Sequence, residues 1–561
     1  MGRKRVLKSL RIDALPLLNK YIENCRFADV INQFVPSAAG TKIAPSDIIL
    51  FLLRNIMLSR FPLYKLSEWS RNYIPQLLGL SEEVLSFLND DRIGRSLDQL
   101  FCADRATLST MIALEVIQKY QIQMKSCHND STTVSFSGQY NKNQKFEKAA
   151  VKLKKGFNKD HRPDLKQLVF NLVVSGDGAV PIHFKLYDGN TTDDTTHRLT
   201  WDKLRALIGH PDFVYVADSK LCTKDNMKHI ANGQGKFITV LPRTRKESQE
   251  FLKWVEDNPV PGQALWYRTH FPVKGQAKNH YRGFESSHFV SYEGYRIIWI
   301  RSSQKQKLDA EKRKLKIKEV EFQLNELRQK LNTYSLKKKK VIQTCIKTIL
   351  KKYKSEDFFN YEIKSYRNYS RKQLSRGRPG PKTRYRVTFK THYRLQWSLR
   401  KENIKKKANA DGFFPLITNI EKKELDMRRV LKYYKYQPYL EKRHSYLKSV
   451  LEVAPVYLKI PERIEALLFL YYLALMIYAL IERDMQLIMK KEKIKSLPIY
   501  PEQRECRKPS TERILELFQN ISKHELLEND KLEDAFFDPL NPLQQKILKL
   551  LKIPLNFYCK N

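Results

Sequence analysis

An α/β fold, with a mixed sheet broken by a long insertion and helical regions at both ends, is what this 561-residue sequence predicts. Three observations lead there. Five short β-rich runs succeed one another between residues 131 and 241, with helical spacing between the later ones. A charged segment over 244–427 then interrupts them. Apolar residues return at helical spacing in the two ends, 1–120 and 491–561.

In chain order, residues 1–120 read as helical. IAPSDIILFLLRNIMLSRFPLYKLSEWSRN has the apolar periodicity of helices, and Pro45 suits a helix start. The region suits a DNA-binding or dimerising role, or a plain helical cap on the core. The first part of the core, 121–243, holds STTVSF (131–136), LVFNLVV (168–174), IHFKLY (182–187), FVYVAD (213–218) and FITVL (237–241). Helical stretches at 195–208 and 223–233 separate the last three. Three strands, then helix, strand, helix and strand are compatible with an RNase H-like core, in which one catalytic Asp lies on the first strand and another on the fourth.

The insertion, 244–427, is expected to be β-rich. ALWYRTHF (264–271), HFVSYE (288–293), YRIIWIRS (295–302), YRVTFKTHY (385–393) and FFPLITN (413–419) read as strands. A helical hairpin is expected at about 304–354. Ile317, Val320, Leu324, Leu327 and Leu331 alternate spacings of three and four, a short heptad seam, and VIQTCIKTILKKYK (341–354) returns after the turn NTYS. Within the insertion, Arg376 and Arg378 of RGRPGPKTR match an extended arm that lies in a narrow A·T-rich minor groove, or else a basic loop. The second part of the core spans 428–490. Its run ALLFLYYLALMIYALI (466–481) is shorter than the roughly 20 residues of a membrane span and is closely bounded by Glu465, Glu482 and Arg483, so it reads as a buried core helix. The C-terminal region carries RILELFQNI and LQQKILKLLKI, again helical.

Net charge is +43 and the isoelectric point about 9.8. Such an excess repels itself unless a polyanion neutralises it, so nucleic acid is the expected partner and a membrane is not. The seven cysteines form no CxxC pair, and the N-terminus has no apolar signal core. Both point to a reduced, cytoplasmic, nucleoid-associated protein without a zinc ribbon or disulfide framework.

The chemistry is expected from three carboxylates. Asp130 adjoins the first strand run and Asp218 ends the fourth. Glu441 lies in YKYQPYLEKRHSYLK (434–448), where Tyr434, Gln437, Glu441 and Lys448 are offset by three, four and seven, one stripe if the segment is a continuous helix. Pro438 within the stripe suggests that the helix starts there, with Tyr434 and Gln437 approaching from the preceding turn. Hard carboxylate oxygens suit Mg²⁺, with Mn²⁺ as a substitute, and two such ions can promote attack at a phosphodiester and stabilise its leaving oxygen.

On these motifs, together with FPLYKLSEW, KDHRPDLKQL, DGNTTDD, YVADSKL and DGFFPLITN, the chain resembles the DDE transposases of bacterial insertion sequences. The resemblance is to the subgroup with a Tyr-x2-Arg-x3-Glu-x6-Lys signature and a long insertion before the Glu. It implies that Asp130, Asp218 and Glu441 are the catalytic, metal-binding set, and that Tyr434, Gln437 and Lys448 contact the element-end phosphates. It also implies a homodimer acting on double-stranded DNA, with the element's terminal inverted repeats and a target as substrates and hairpin ends as intermediates. Gln437 stands where the subgroup has Arg, and Gln lacks the charge and the bidentate fork. A non-catalytic DNA-binding regulator and a stand-alone structure-specific nuclease are the competing readings.

Overall fold

The computed structural model describes residues 5–138, 140, 146–156, 162–265, 279–454, 458–529 and 531–559. It is a mixed α/β protein, and its chain divides into two compact units, Met1–Thr239 with Lys432–Asn561, and Val240–Leu431.

The first unit opens on a strand rather than a helix. β1 (Arg5–Arg11) pairs with a strand from the C-terminal region, and the two ends of the chain form one small sheet. The terminal regions are therefore not wholly helical. The run RVLKSLR has no apolar alternation to rise above the helical pattern around it, and the partner lies more than 500 residues away.

Five further strands form the central sheet: β2 (Ser126–Phe136), β3 (Lys166–Ser175), β4 (Pro181–Asp188), β5 (Val214–Val216) and β6 (Lys236–Val240). Their order is β4-β3-β2-β5-β6. β2, β3 and β4 are antiparallel neighbours, whereas β5 and β6 continue from β2 in parallel. β2 begins five residues before the STTVSF run, so Asp130 lies inside the strand. The crossovers carry the helices His197–Ile208 and Lys224–Asn232. Period-two alternation aims successive β2 residues at opposite faces. Asn129 meets His197 and Tyr215 on one side, while His128 meets the Tyr436 ring on the other, tilted, with ring centroids 4.8 Å apart.

The helix Pro461–Lys491 organises the core of this unit. It has the length and composition of a membrane-crossing helix, yet every residue from 466 to 481 is buried. The helices Pro45–Leu58 and Asp90–Cys102 and the strand β4 pack on it. Tyr472 is stacked on Phe184 at 4.6 Å. At Gly94 a Cβ would fall 2.3 Å from the Arg463 guanidinium, which needs that space to reach Asp98 in a bidentate pair at 2.8 Å.

The second unit holds β7 (Gln263–Leu265), β8 (Tyr281–Phe284) and β9 (Arg296–Ser302), then a two-stranded ribbon of β10 (Phe359–Gln373) and β11 (Tyr385–Leu399), then β12 (Phe413–Thr418). β12, β9, β8 and β7 are successive antiparallel neighbours. Most of the ALWYRTHF run lies outside the described residues. HFVSYE is a turn, closed by the amide of Ser291 bonding to Tyr295, so it is not the expected strand. The helical hairpin is intramolecular: in the helix Ser303–Gln329, Val320, Leu324 and Leu327 are buried against Ile342, Ile346 and Leu350 of the helix Lys339–Lys352.

In the first unit, β13 (Ser522–Glu528) and β14 (Lys531–Phe537) form a hairpin beside β1, correcting the expected all-helical C-terminal region. Their sequences, SKHELLE and KLEDAFF, mix charged and apolar residues, and most of their side chains are partly or fully exposed.

Tyr472 gives a two-part expectation. Its hydroxyl is buried without a hydrogen-bond partner among the described residues, so Tyr472→Phe leaves stability unchanged or raises it. Tyr472→Ala removes the ring from the Phe184 stack and costs about 3–5 kcal/mol. Urea unfolding of the two variants against the parent checks both.

Candidate functional site

Parallel pairing aligns two of the expected carboxylates. Cys127 is level with Tyr215, and His128 with Val216. Asp130 and Asp218 each lie two residues further on, so they reach the same level on adjacent chains. Asp218 has just left β5 at its carboxyl end, where crevices open in sheets of this kind. Its carboxylate accepts the Lys220 amide at 2.9 Å, starting a short 3-10 turn, and its carbonyl accepts the Thr239 hydroxyl. Asp130 accepts its neighbour's amide, that of Ser131, at 2.9 Å. Both aspartates are half-buried.

The Glu441 segment is not one continuous α-helix. A helix Met427–Tyr434 ends at Tyr434, two residues turn, and a second helix runs Gln437–Ser445 with Pro438 in its first turn. A π-helical turn, Tyr446–Val450, follows directly. Tyr434 therefore belongs to one helix, Gln437 and Glu441 to a second, and Lys448 to a turn of different pitch. The single stripe suggested by offsets of three, four and seven is not formed. Pro438 is the physical reason for the first break, since it has no amide to bond the Tyr434 carbonyl four residues back and its ring crowds that carbonyl.

Even so, Tyr434 stays with the carboxylates. Burial pushes its hydroxyl up to about 12, and the negative charges of Asp218 and Glu441 add to the shift. Lys435 is also within reach of Glu441: burial lowers its pKa and the carboxylate opposes this. Glu441 itself is exposed. One turn on, His444 places Nε2 3.7 Å from Asp130. Gln437 is half-buried, and its Oε1 has no hydrogen-bond partner among the described residues.

The two aspartates and Glu441 thus share one neighbourhood, linked through Tyr434 and His444. Among the described residues, no group of three His, Cys, Asp or Glu side chains is close enough to enclose a metal ion. Asp130, Asp218 and Glu441 nevertheless offer only carboxylate oxygens, which is the chemistry Mg²⁺ selects. Arg376 and Arg378 lie elsewhere, in the second unit, in the bent tip joining β10 to β11. They are exposed, and the tip is not an extended arm; Gly377 takes a left-handed φ of 128° there.

Sequence reasoning missed what holds the Glu441 helix. Arg443 is 2% exposed, and each of its three nitrogens donates to a partner inside the fold. It bonds Ala179 and Gly178 carbonyls in the β3–β4 turn at 3.0 Å each, and Glu482 at 2.7 Å. Glu482 also accepts Lys442 at 2.9 Å and the Tyr446 hydroxyl at 2.6 Å. Burial works against ionisation of Glu482, but the Arg443 and Lys442 cations and these hydrogen bonds outweigh it and hold its pKa down at about 2. A lone acid ending a 16-residue apolar run was the available signal. His128, by contrast, is fully buried, and burial lowers its pKa to about 3, so it is a neutral structural ring.

Comparison with known proteins adds little. A family described as a domain of unknown function (DUF4277) matches residues 7–114. No curated protein matches. Among solved structures, a piggyBac transposase synaptic complex with hairpin DNA is similar over 85% of this chain and 77% of that one, at 10% identity. Its TM-score of 0.35 is too low for that likeness to bear on the function.

Glu482→Ala leaves the Arg443 cation buried and unpaired, and stability falls by about 3–5 kcal/mol. The pH dependence has a definite sign. The folded pKa lies below the ordinary value of 4.5, so the stabilisation is present above pH 4.5 and lost as pH falls towards 2. Its full size is about 3 kcal/mol. Denaturant titrations between pH 6 and 3 of Glu482→Gln, which lacks this titration, against the parent check it.

Proposed function

We propose that this chain is a DDE-type DNA transposase that cuts at the inverted ends of its own element and joins them to target DNA. The observation that carries the reading is the common level of Asp130 and Asp218 on adjacent parallel chains, with Tyr434 between Asp218 and Glu441. The strand order supports an RNase H-like core, since the aspartates fall on its first strand and just beyond its fourth. A charge of +43 supports a polyanionic substrate.

Asp130, Asp218 and Glu441 would hold two Mg²⁺ ions, or Mn²⁺ in their place, which supply charge stabilisation at the attacking and leaving oxygens. Tyr434, Gln437 and Lys448 bind and orient the backbone beside them through hydroxyl, amide and ammonium donors. In the first cut, water adds to phosphorus and the 3′-oxygen leaves, taking a proton. The freed 3′-hydroxyl then attacks the phosphodiester of the opposite strand, giving up its proton as the flanking DNA's 3′-oxygen leaves with one, and the resulting hairpin end is later reopened by water. The active species is a homodimer with one element end per subunit.

A second reading, a non-catalytic DNA-binding regulator, draws on Gln437. Its uncharged amide gives a weaker phosphate contact than the subgroup's guanidinium.

Incubating the full chain with Mg²⁺ and DNA carrying the element's own ends decides between them. Nicking at the ends is expected, lost in Asp130→Ala, Asp218→Ala and Glu441→Ala with binding retained. Binding without any nicking by the parent protein would leave only the regulator. Gln437→Arg adds a charge-assisted contact and is expected to raise end affinity about tenfold, measured by titration of labelled end duplex.

A further inference from the structure

The ribbon of β10 and β11 has no role in the reading above beyond the two arginines of its tip. Each strand has 15 residues in unbroken register from Phe359 opposite Leu399 to Gln373 opposite Tyr385. At about 3.3 Å per residue it extends roughly 50 Å. Only its base is anchored: Phe359, Ile363 and Leu395 are buried against the helical hairpin through Leu324 and Ile346 and their neighbours. Beyond Ser365 nearly every residue is exposed on both faces. A two-stranded ribbon with neither face covered is marginal in water, so this length of it needs a reason.

Residues 359–399 hold eleven Lys or Arg against one acid, Glu362. The register sorts them by face. Lys364 is directly opposite Arg394, and Lys372 directly opposite Arg386, with Lys390 on the same face between them. Like charges set directly opposite each other destabilise a sheet pair. Lys372, Arg386, Lys390 and Arg394 make no ion pair among the described residues. The other face is different: Tyr369 is paired with Phe389 across the strands, and Arg371 lies over Tyr369. The cationic face also carries a Tyr366–His392 ring pair and a Ser370–Thr388 hydrogen bond, but its directly opposed Lys364–Arg394 and Lys372–Arg386 pairs work against that cohesion. A cationic stripe that weakens its own scaffold is relieved by a partner with regularly repeated negative charge. On β11 the cations Arg386, Lys390 and Arg394 recur at every fourth residue, about 13 Å apart.

We infer that the β10–β11 ribbon is a duplex-DNA-gripping arm whose face bearing Lys364, Lys372, Arg386, Lys390 and Arg394 is laid against the phosphates. The major groove of B-form DNA, about 12 Å wide, admits a two-stranded ribbon, whereas that of A-form RNA is too narrow for side chains to read. The inference deepens the proposed function and rests on it only for the choice of DNA as partner. The grip is sequence-independent, because phosphates carry no base information.

The test uses the full chain and a random-sequence 30-base-pair DNA duplex, with affinity followed against salt. In the combined variant Lys372→Gln, Arg386→Gln, Lys390→Gln, Arg394→Gln, the slope of log affinity against log salt is expected to fall by about 3.6, near 0.9 for each of the four phosphates no longer neutralised. Its thermal unfolding should match or exceed the parent's, since opposed like charges are removed from exposed positions. Arg386→Lys with Arg394→Lys retains the charges and should retain the slope. An unchanged slope in the Gln variant, an equal fall in the Lys variant, or tighter binding to an RNA duplex of the same length overturns the inference. Binding needs no cleavage, so the two ideas fail separately. A chain that grips DNA through the ribbon but never nicks loses only its transposase reading. One that nicks with an unchanged salt slope in the Gln variant loses only the ribbon.

Discussion

The candidate site depends on one buried carboxylate. Glu482 is near the end of the longest apolar helix and gathers Lys442, Arg443 and Tyr446 from the segment that carries Glu441. Because Arg443 also grips the β3–β4 turn, a single guanidinium ties the Glu441 helix to the core helix and the central sheet together. Charges buried this deeply are stable only when paired and hydrogen-bonded, and here every partner comes from the site's own surroundings. Glu441 can therefore be exposed and still be fixed in place: its neighbours one and two residues on are the anchors.

The central strands were legible because each combines β-branched or aromatic residues with a short length, and the later ones alternate with helical spacing. Asp218 was legible as a strand end for the same reason. The seam from Ile317 to Leu331 gave the hairpin, since its apolar positions repeat at the coiled-coil period. β10 was not legible: NYEIKSYRNYSRKQ has too few apolar residues to mark a strand, and its pairing is set by the opposite strand rather than by burial. β1 and β13 failed for distance, because each makes sense only beside the other. HFVSYE failed because aromatic and β-branched content alone does not separate a strand from a closed turn.

Within the site, composition identified the carboxylates but not the shape of the segment holding the third. Offsets of three, four and seven describe a face only if the pitch is constant. Pro438 breaks it before Glu441 and the π turn alters it after. Such turns insert one residue per cycle and swing the side chains beyond them, a local irregularity often kept where function needs it. The environment of Tyr434, close to Asp218 and Glu441, shows that two helices at an angle can deliver what a straight stripe cannot.

The order in which the chain supplies the site has a consequence for its synthesis. β2, β5 and both aspartates leave the ribosome together, but Glu441 follows Asp218 by 223 residues, the whole second unit intervening. At roughly 5–20 residues per second, about 10–45 s separate the two on a translating ribosome. Through that interval the nascent chain carries both aspartates but lacks the helix that brings Glu441 to them. The carboxylate set can therefore close only after the whole second unit has been made, so a chain stalled within that unit holds two of the three acids and no more.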